Sequence, residues 1–242
     1  MKYRLYYWPE IQGRGEFVRL ALEEADADYI DVARETGPGL GMPAMMKVMN
    51  DRRVRHAPFA PPFLEAGRLI VGQTANILLF LGPRHGLAPS SEEGRLWTHQ
   101  LQLTIADLVA EAHDTHHPVA SSLYYEDQKP EARRRADSFR TERIPKYLGF
   151  FEQLLARNPR GQRYLVGAKL SYADLSLFQV MAGLQYAFPR AMASSARRYK
   201  RITALCGAVE CRARIARYLA SGRRIPFNQE GIFRRYPELD AP

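Results

Sequence analysis

The chain has 242 residues, 46% apolar and 25% charged, a balance that supports a packed core and excludes a disordered chain. No apolar run approaches the ~20 residues that a membrane-spanning helix needs, and the start MKYRLYYW lacks the apolar stretch of a secretory leader. The net charge of +9 is uneven: residues 1–86 carry 11 Lys+Arg against 10 Asp+Glu, and the remainder carries 24 against 16.

The first part alternates element types. Tyr3 to Tyr7 reads as a strand ended by Trp8-Pro9, and Gly13-Arg14-Gly15 reads as a turn. Glu16 to Ala25 reads as a helix, with Phe17, Leu20, Ala21 and Glu24 at helical spacing. Tyr29 to Val32 is a second short strand. The segment TGPGLGMPAMM reads as a Gly/Pro/Met-rich loop. Two strands follow, PFLEA and RLIVG, joined by a tight turn at Ala66-Gly67, and then an apolar helix from Thr74 to Leu81. The order βαβ then ββα implies one sheet covered by helices.

From Gly82 the pattern changes. GPRHGLAPSSEEG is a polar linker, and everything beyond it reads as helical. Ser90 or Ser91 can cap a helix running to about Pro118, with Glu92 and Glu93 suited to its first turn. Ile144, Tyr147, Leu148, Phe151, Leu154 and Leu155 form an apolar stripe, with Pro145 expected to kink that helix. Ser171 and Asp174 have capping-box spacing, flanked by Leu170 and Leu175 as a hydrophobic staple. The helix after them is apolar nearly all round, so it is expected to be the core helix of this half.

The excess positive charge falls partly in Arg133-Arg134-Arg135, Arg197-Arg198 and Lys200-Arg201, each within a helical pattern. It reads as solvated helix surface, without a nucleic-acid-binding signature. Cys206 and Cys211, a lone C-x4-C pair, read as two reduced thiols in a cytoplasmic protein. His113, His116 and His117 share one helical face but lack the further ligands of a metal site, so no metal is expected.

A first strand ending in Tyr7-Trp8, the PPFLEAG segment, VGQTANILLFLG, the Pro-marked linker and SYADL before a core helix together resemble the cytosolic glutathione transferases, and among them the tyrosine-type classes such as mu, pi, alpha and sigma. The resemblance spans essentially the whole chain. It implies an α/β thioredoxin-like domain over residues 1–83 that binds glutathione. An all-α domain over 92–242 would contribute the electrophile pocket and a C-terminal tail. A homodimer is implied as well. The implied activity is conjugation of glutathione to small apolar electrophiles. Peroxide reduction or isomerisation with the same thiolate, or a non-catalytic binding module of the same fold, stand as alternatives. The absence of a C-x-x-C or any Cys directly after the first strand disfavours a thioredoxin-type redox activity.

Conjugation needs the thiolate of glutathione, whose free thiol has a pKa of roughly 8.5. A neutral hydroxyl can stabilise that anion by donating a hydrogen bond. The resemblance gives this role to Tyr7. One extra residue between Trp8 and the Gly-Arg turn keeps Tyr6 open as an alternative, because a slip of one residue reverses the face of a strand. For the rest of the glutathione site the resemblance implies Trp8, Arg14, Pro61, Gln73, Thr74 and, from the partner subunit, Asp107. Pro62 is the implied cis residue. Lys47, Arg52, Arg53 and Arg55 are the choices for the glycyl carboxylate, Arg52 foremost. Ile11, His113, His117 and Phe227 are implied in the electrophile pocket, and Phe59 as a plug into the partner subunit.

Overall fold

The alternation of side chains along the first strand sets the layers of the N-terminal region. In the computed structural model, which describes residues 2–241, strand β1 (Tyr3–Tyr6) turns Tyr3 and Leu5 toward Val18, Leu22, Ile77 and Leu81. It turns Tyr6 to the opposite face, against Val32, Met45 and Phe63. β1 pairs in parallel with β2 (Tyr29–Asp31) and antiparallel with β3 (Phe63–Ala66), and β3 pairs antiparallel with β4 (Leu69–Gly72). The sheet order is β2-β1-β3-β4. Helices α1 (Gly15–Glu24) and α3 (Thr74–Arg84) cover the Leu5 face.

The other face is covered by α2 (Gly41–Asn50), which occupies part of the segment read as a loop from sequence. Gly37, Gly39 and Gly41 all have positive φ, and they obscure a run of good helix formers that follows them. Pro43 falls in the first turn of α2, where a missing N–H costs nothing. Met45, fully buried, places α2 against Tyr6 and Phe63. α3 also runs three residues further than expected, through Pro83 to Arg84.

The remainder is helical: α4 (Glu92–Asp114), α5 (Lys129–Ser138), α6 (Ile144–Arg157), α7 (Tyr172–Ala187), α8 (Ser195–Arg198), α9 (Lys200–Glu210) and α10 (Ala213–Leu219). Ser91 caps α4 by accepting the Gly94 amide at 3.2 Å, and α4 stops at Asp114, short of Pro118. Pro145 lies in the first turn of α6, and a π-turn over Phe139–Arg143 absorbs the change of register between α5 and α6. The helix is adjusted before the proline instead of kinked at it.

α7 is buried along nearly its whole length and packs on α1, α4 and α9. α1 is covered on every side, by the sheet, α3, α7 and α10. Phe17, Leu20 and Ala21 of α1 therefore join the same apolar core as the C-terminal helices. The charged residues of α1 are buried too, so each needs a partner inside the protein. Beyond α10, residues 221–241 form an extended strap over both regions: Asp240 accepts the Arg190 and Ala191 amides at 2.6 and 3.1 Å, while Asn228 Nδ2 donates to the Glu10 carbonyl at 2.8 Å.

Asp174, fully buried at the start of α7, accepts the Leu165 amide, the Ser171 amide and the Ser171 hydroxyl, each at 2.7 Å. Burial pushes its carboxyl up to about 6, while those donors pull the other way. Removing the carboxylate strands two buried N–H groups, each costing about 1–3 kcal/mol. Asp174→Ala is expected to lower unfolding free energy by about 3 kcal/mol in urea denaturation, and Ser171→Ala by about 1 kcal/mol.

Candidate active site at the end of the first strand

Tyr7 follows the last residue of β1 and continues the Leu5 side, so its ring runs beneath the turn that opens α1. The turn can lie over that ring only because of its glycines. A Cβ on Gly13, whose φ is +45°, would sit 2.0 Å from Tyr7 Oη, and one on Gly15 would sit 2.5 Å from the ring carbons. With that cover, Tyr7 is almost fully buried, and its Oη accepts the Arg14 amide at 2.8 Å. Burial pushes the phenol above its ordinary value; the Arg14 amide and the charges of Arg14 and Arg19 pull against that shift. The result at neutral pH is an un-ionised hydroxyl that already accepts one hydrogen bond and keeps its own proton to donate.

Tyr6 is bound differently. It stacks on Phe63 with ring centroids 4.5 Å apart, on the α2 face. Its hydroxyl donates to Glu65 at 2.8 Å and accepts from Arg4 Nε at 3.0 Å. Arg4 and Glu65 are register partners across β1 and β3, so the sheet itself fixes this triplet. The Tyr6 proton is committed. A cavity of about 820 Å³ lies beside Tyr6, but no free donor at Tyr6 serves it.

Other sequence-derived residues gather around the Tyr7 turn. Thr74 begins α3 and donates from Oγ1 to the Arg14 carbonyl at 3.3 Å. Gln73, just before it, has φ +69°, a conformation that a side chain rarely adopts and that costs of order 1 kcal/mol. Arg14 and Thr74 line a narrow crevice with Phe17, Gln102, Ile105 and Val109 of α1 and α4. The Pro61–Pro62 bond is cis. Asp107 is exposed on α4, and Trp8 is partly exposed. In the loop before the proline pair, Arg53 is bound to Asp51 at 2.8 Å, whereas Lys47, Arg52 and Arg55 are exposed. Phe59 is 94% exposed, the most exposed of the large apolar residues.

The residues expected in the electrophile pocket lie along the strap. Half-buried Ile11 is in the Tyr7 turn, next to Gln12, whose side chain donates to the Ile225 carbonyl. Phe227 stacks on Tyr186 with centroids 4.9 Å apart. The Ile232 carbonyl meets His116 Nε2 at 2.8 Å. His113, His116 and His117 form a triangle of rings with centroids 4.9–5.0 Å apart. Burial, with the nearby charge of Arg14, lowers His113 to about 4; burial lowers His116 to about 3. The cluster is therefore neutral at pH 7, and among the described residues no set of side chains is arranged to hold a metal.

Sequence reasoning missed the buried polar groups beneath the turn, Gln12, Glu16, Arg19 and Gln179, and the half-buried Arg224. Gln179 was the one available signal, an amide inside the apolar run Leu177–Met181. It donates to Gln12 Oε1 at 2.7 Å and accepts from Arg224 at 3.0 Å.

Residues 113–222 match the family model for the glutathione S-transferase C-terminal domain. The chain is 26% identical over 223 residues to glutathione S-transferase P 1 of Xenopus laevis, covering 92% of this chain and 93% of that one. It is 24% identical over 193 residues to a Plasmodium falciparum glutathione S-transferase, covering 78% and 82%. Over most of its length the chain is thus similar to glutathione S-transferases. The fold agrees: the Pi-class glutathione S-transferase of Onchocerca volvulus superposes with a TM-score of 0.68 at 21% identity, covering 90% of this chain and 92% of that one. The prostaglandin synthase D of Nilaparvata lugens gives 0.69 at 20%, covering 93% and 100%. Within this glutathione S-transferase fold, none of the helices is long and apolar enough among the described residues to cross a membrane.

The histidine cluster makes a pH prediction. A base whose folded pKa is depressed to about 3 stays neutral in the fold while the unfolded chain takes up a proton below about 6.5. Stability contributed by His116 is thus present above pH 6.5 and lost as pH falls toward 3. Replacing it by Gln is expected to flatten the dependence of unfolding free energy on pH between about 4 and 6 by up to about 1.4 kcal/mol per pH unit, measured by denaturant titration.

Proposed function

We propose that the protein conjugates glutathione to small electrophiles, with Tyr7 stabilising the thiolate. The observation that carries this reading is the buried Tyr7 hydroxyl, occupied as an acceptor by the Arg14 amide and free as a donor. A thiolate at that position receives its hydrogen bond without a nearby group that could return a proton to it. The amide also withdraws density from the phenol oxygen, which strengthens the donation. In a substitution on an aryl halide, the sulfur lone pair forms the S–C bond and halide leaves with the bonding pair. The protein supplies orientation and anion stabilisation.

The rest of glutathione fits the surrounding groups. The N-terminus of α3, with Gln73 and Thr74, offers amides and a hydroxyl to the γ-glutamyl carboxylate. Arg14 adds charge, and Pro61 offers a carbonyl but no N–H to the cysteinyl backbone. Arg52, exposed in the loop before the cis bond, is the choice for the glycyl carboxylate. Residues 1–83 then serve as the glutathione-binding domain, and residues 92–242 supply the electrophile side, including His113, His117 and Phe227, with Ile11 added from the Tyr7 turn. A homodimer brings Asp107 of each subunit to the partner's γ-glutamyl amine, and the exposed ring of Phe59 is the surface that such a contact would cover. The protein acts on soluble ligands, in the cytoplasm, without a specific nucleic-acid partner.

Tyr7→Phe is expected to lower kcat for a generic aryl halide about 10²-fold, the usual cost of one donor to a developing anion. Tyr6→Phe is expected to lower stability by about 1 kcal/mol through the lost Glu65 hydrogen bond and to change kcat by less than about threefold. Full activity in Tyr7→Phe sinks the assignment. Glutathione binding without turnover on several electrophile classes favours a non-catalytic module. For the dimer, Phe59→Asp is expected to shift the protein to monomer in analytical ultracentrifugation, with glutathione affinity reduced about tenfold as the Asp107 contact is lost.

A further inference from the structure

Arg19 is fully buried in the middle of α1, where a guanidinium needs compensation on every side. Its Nε donates to Asp31 Oδ2 at 2.6 Å, and its Nη1 reaches Glu16 Oε2 at 3.3 Å. Nη1 also lies 3.3 Å from the Ile11 carbonyl and 3.4 Å from the Gln12 carbonyl. Those two carbonyls belong to the turn whose next residues are Gly13 and Arg14. The guanidinium carbon is 5.7 Å from the centroid of the Tyr7 ring. One cation therefore touches β2 through Asp31, α1 through Glu16, the backbone of the turn, and the flank of Tyr7.

The opposite side of the turn is held by Gln12. Its side chain links Gln179 of α7 to the Ile225 carbonyl of the strap. Arg224 of the strap pairs with Glu16, and Tyr218 of α10 donates to Glu16 at 2.7 Å. The charged and titratable groups facing Arg19 are thus Asp31, Glu16, Tyr218, Arg224 and Tyr7.

We propose that Arg19 is a positioning residue for the transferase reaction: by fixing the Ile11 and Gln12 carbonyls it aims the Arg14 amide at Tyr7 Oη and holds the Tyr7 ring under the turn. This rests on the reading of Tyr7 given above. A lysine cannot perform the task, because a single ammonium lacks the planar fork that meets Asp31 on one edge and the turn carbonyls on another. The charge itself is not sufficient; the shape of the cation sets the turn.

Arg19→Lys and Asp31→Asn test this together, the second keeping the guanidinium while weakening the anchor of its Nε edge. In ¹H–¹⁵N NMR without ligand, the Arg14 amide proton, assigned by its upfield move in Tyr7→Phe, is expected to move toward its Tyr7→Phe position in Arg19→Lys. With glutathione bound, the apparent pKa of the thiol, read from thiolate absorbance against pH, is expected to rise by about one unit. kcat at pH 6.5 is expected to fall about tenfold, with the dissociation constant for glutathione within about twofold. A cooperatively folded Arg19→Lys protein with the wild-type Arg14 resonance and thiol pKa overturns the proposal. If Arg19→Lys does not fold, an unchanged Arg14 resonance in Asp31→Asn overturns it instead. Wild-type protein that binds no glutathione sinks the transferase reading, and the ligand-free Arg14 resonance then judges Arg19 alone.

Discussion

A fully buried guanidinium has to be answered by the protein, and the answer at Arg19 draws on three separate pieces of chain. Asp31 ends β2, Glu16 lies one turn earlier in α1, and the Ile11 and Gln12 carbonyls come from the loop after β1. The two carboxylates hold the group charged, against a desolvation cost that would otherwise expel it. Breaking either pair would leave the buried guanidinium with less compensation than its desolvation demands. β2, α1 and the turn over Tyr7 are consequently fixed relative to one another by polar contacts and not only by packing.

The same logic extends to the end of the chain. Burying α1 on every side also buries Glu16, Glu23 and Glu24, and each draws an arginine from beyond residue 210: Arg224, Arg223 and Arg212. Three arginines outside the basic clusters noted in the sequence are thus partners for an acidic helix about 200 residues earlier. The strap then continues past Phe227 and Ile232 to meet the Arg190 amide with Asp240.

Much of this was legible beforehand. The β1 alternation, the paired strands about Ala66-Gly67 and the capping box at Ser171 and Asp174 depend on spacings of a few residues, which a sequence displays directly. α2 was hidden because the glycines before it carry a stronger local signal than the helix formers after them. Pro145 read as a kink because the π-turn that absorbs it has no signature of its own. Glu16 and Arg19 carry no local signal of burial, since nothing in the first 25 residues announces that α7, α10 and the strap will cover them.

The sequence by itself determined the element types, the change from mixed sheet to helices near residue 82, and a tyrosine at the end of the first strand where a redox protein would carry cysteine. Those are properties of short segments and their order. Which of two adjacent tyrosines is free was decided only by tertiary structure. The pleat sends Tyr6 toward Arg4 and Glu65 across the sheet, and the glycine turn closes over Tyr7 with an amide aimed at its oxygen. Both outcomes depend on partners distant in sequence or on the course of a turn, and no local spacing encodes whether a hydroxyl's proton has already been claimed.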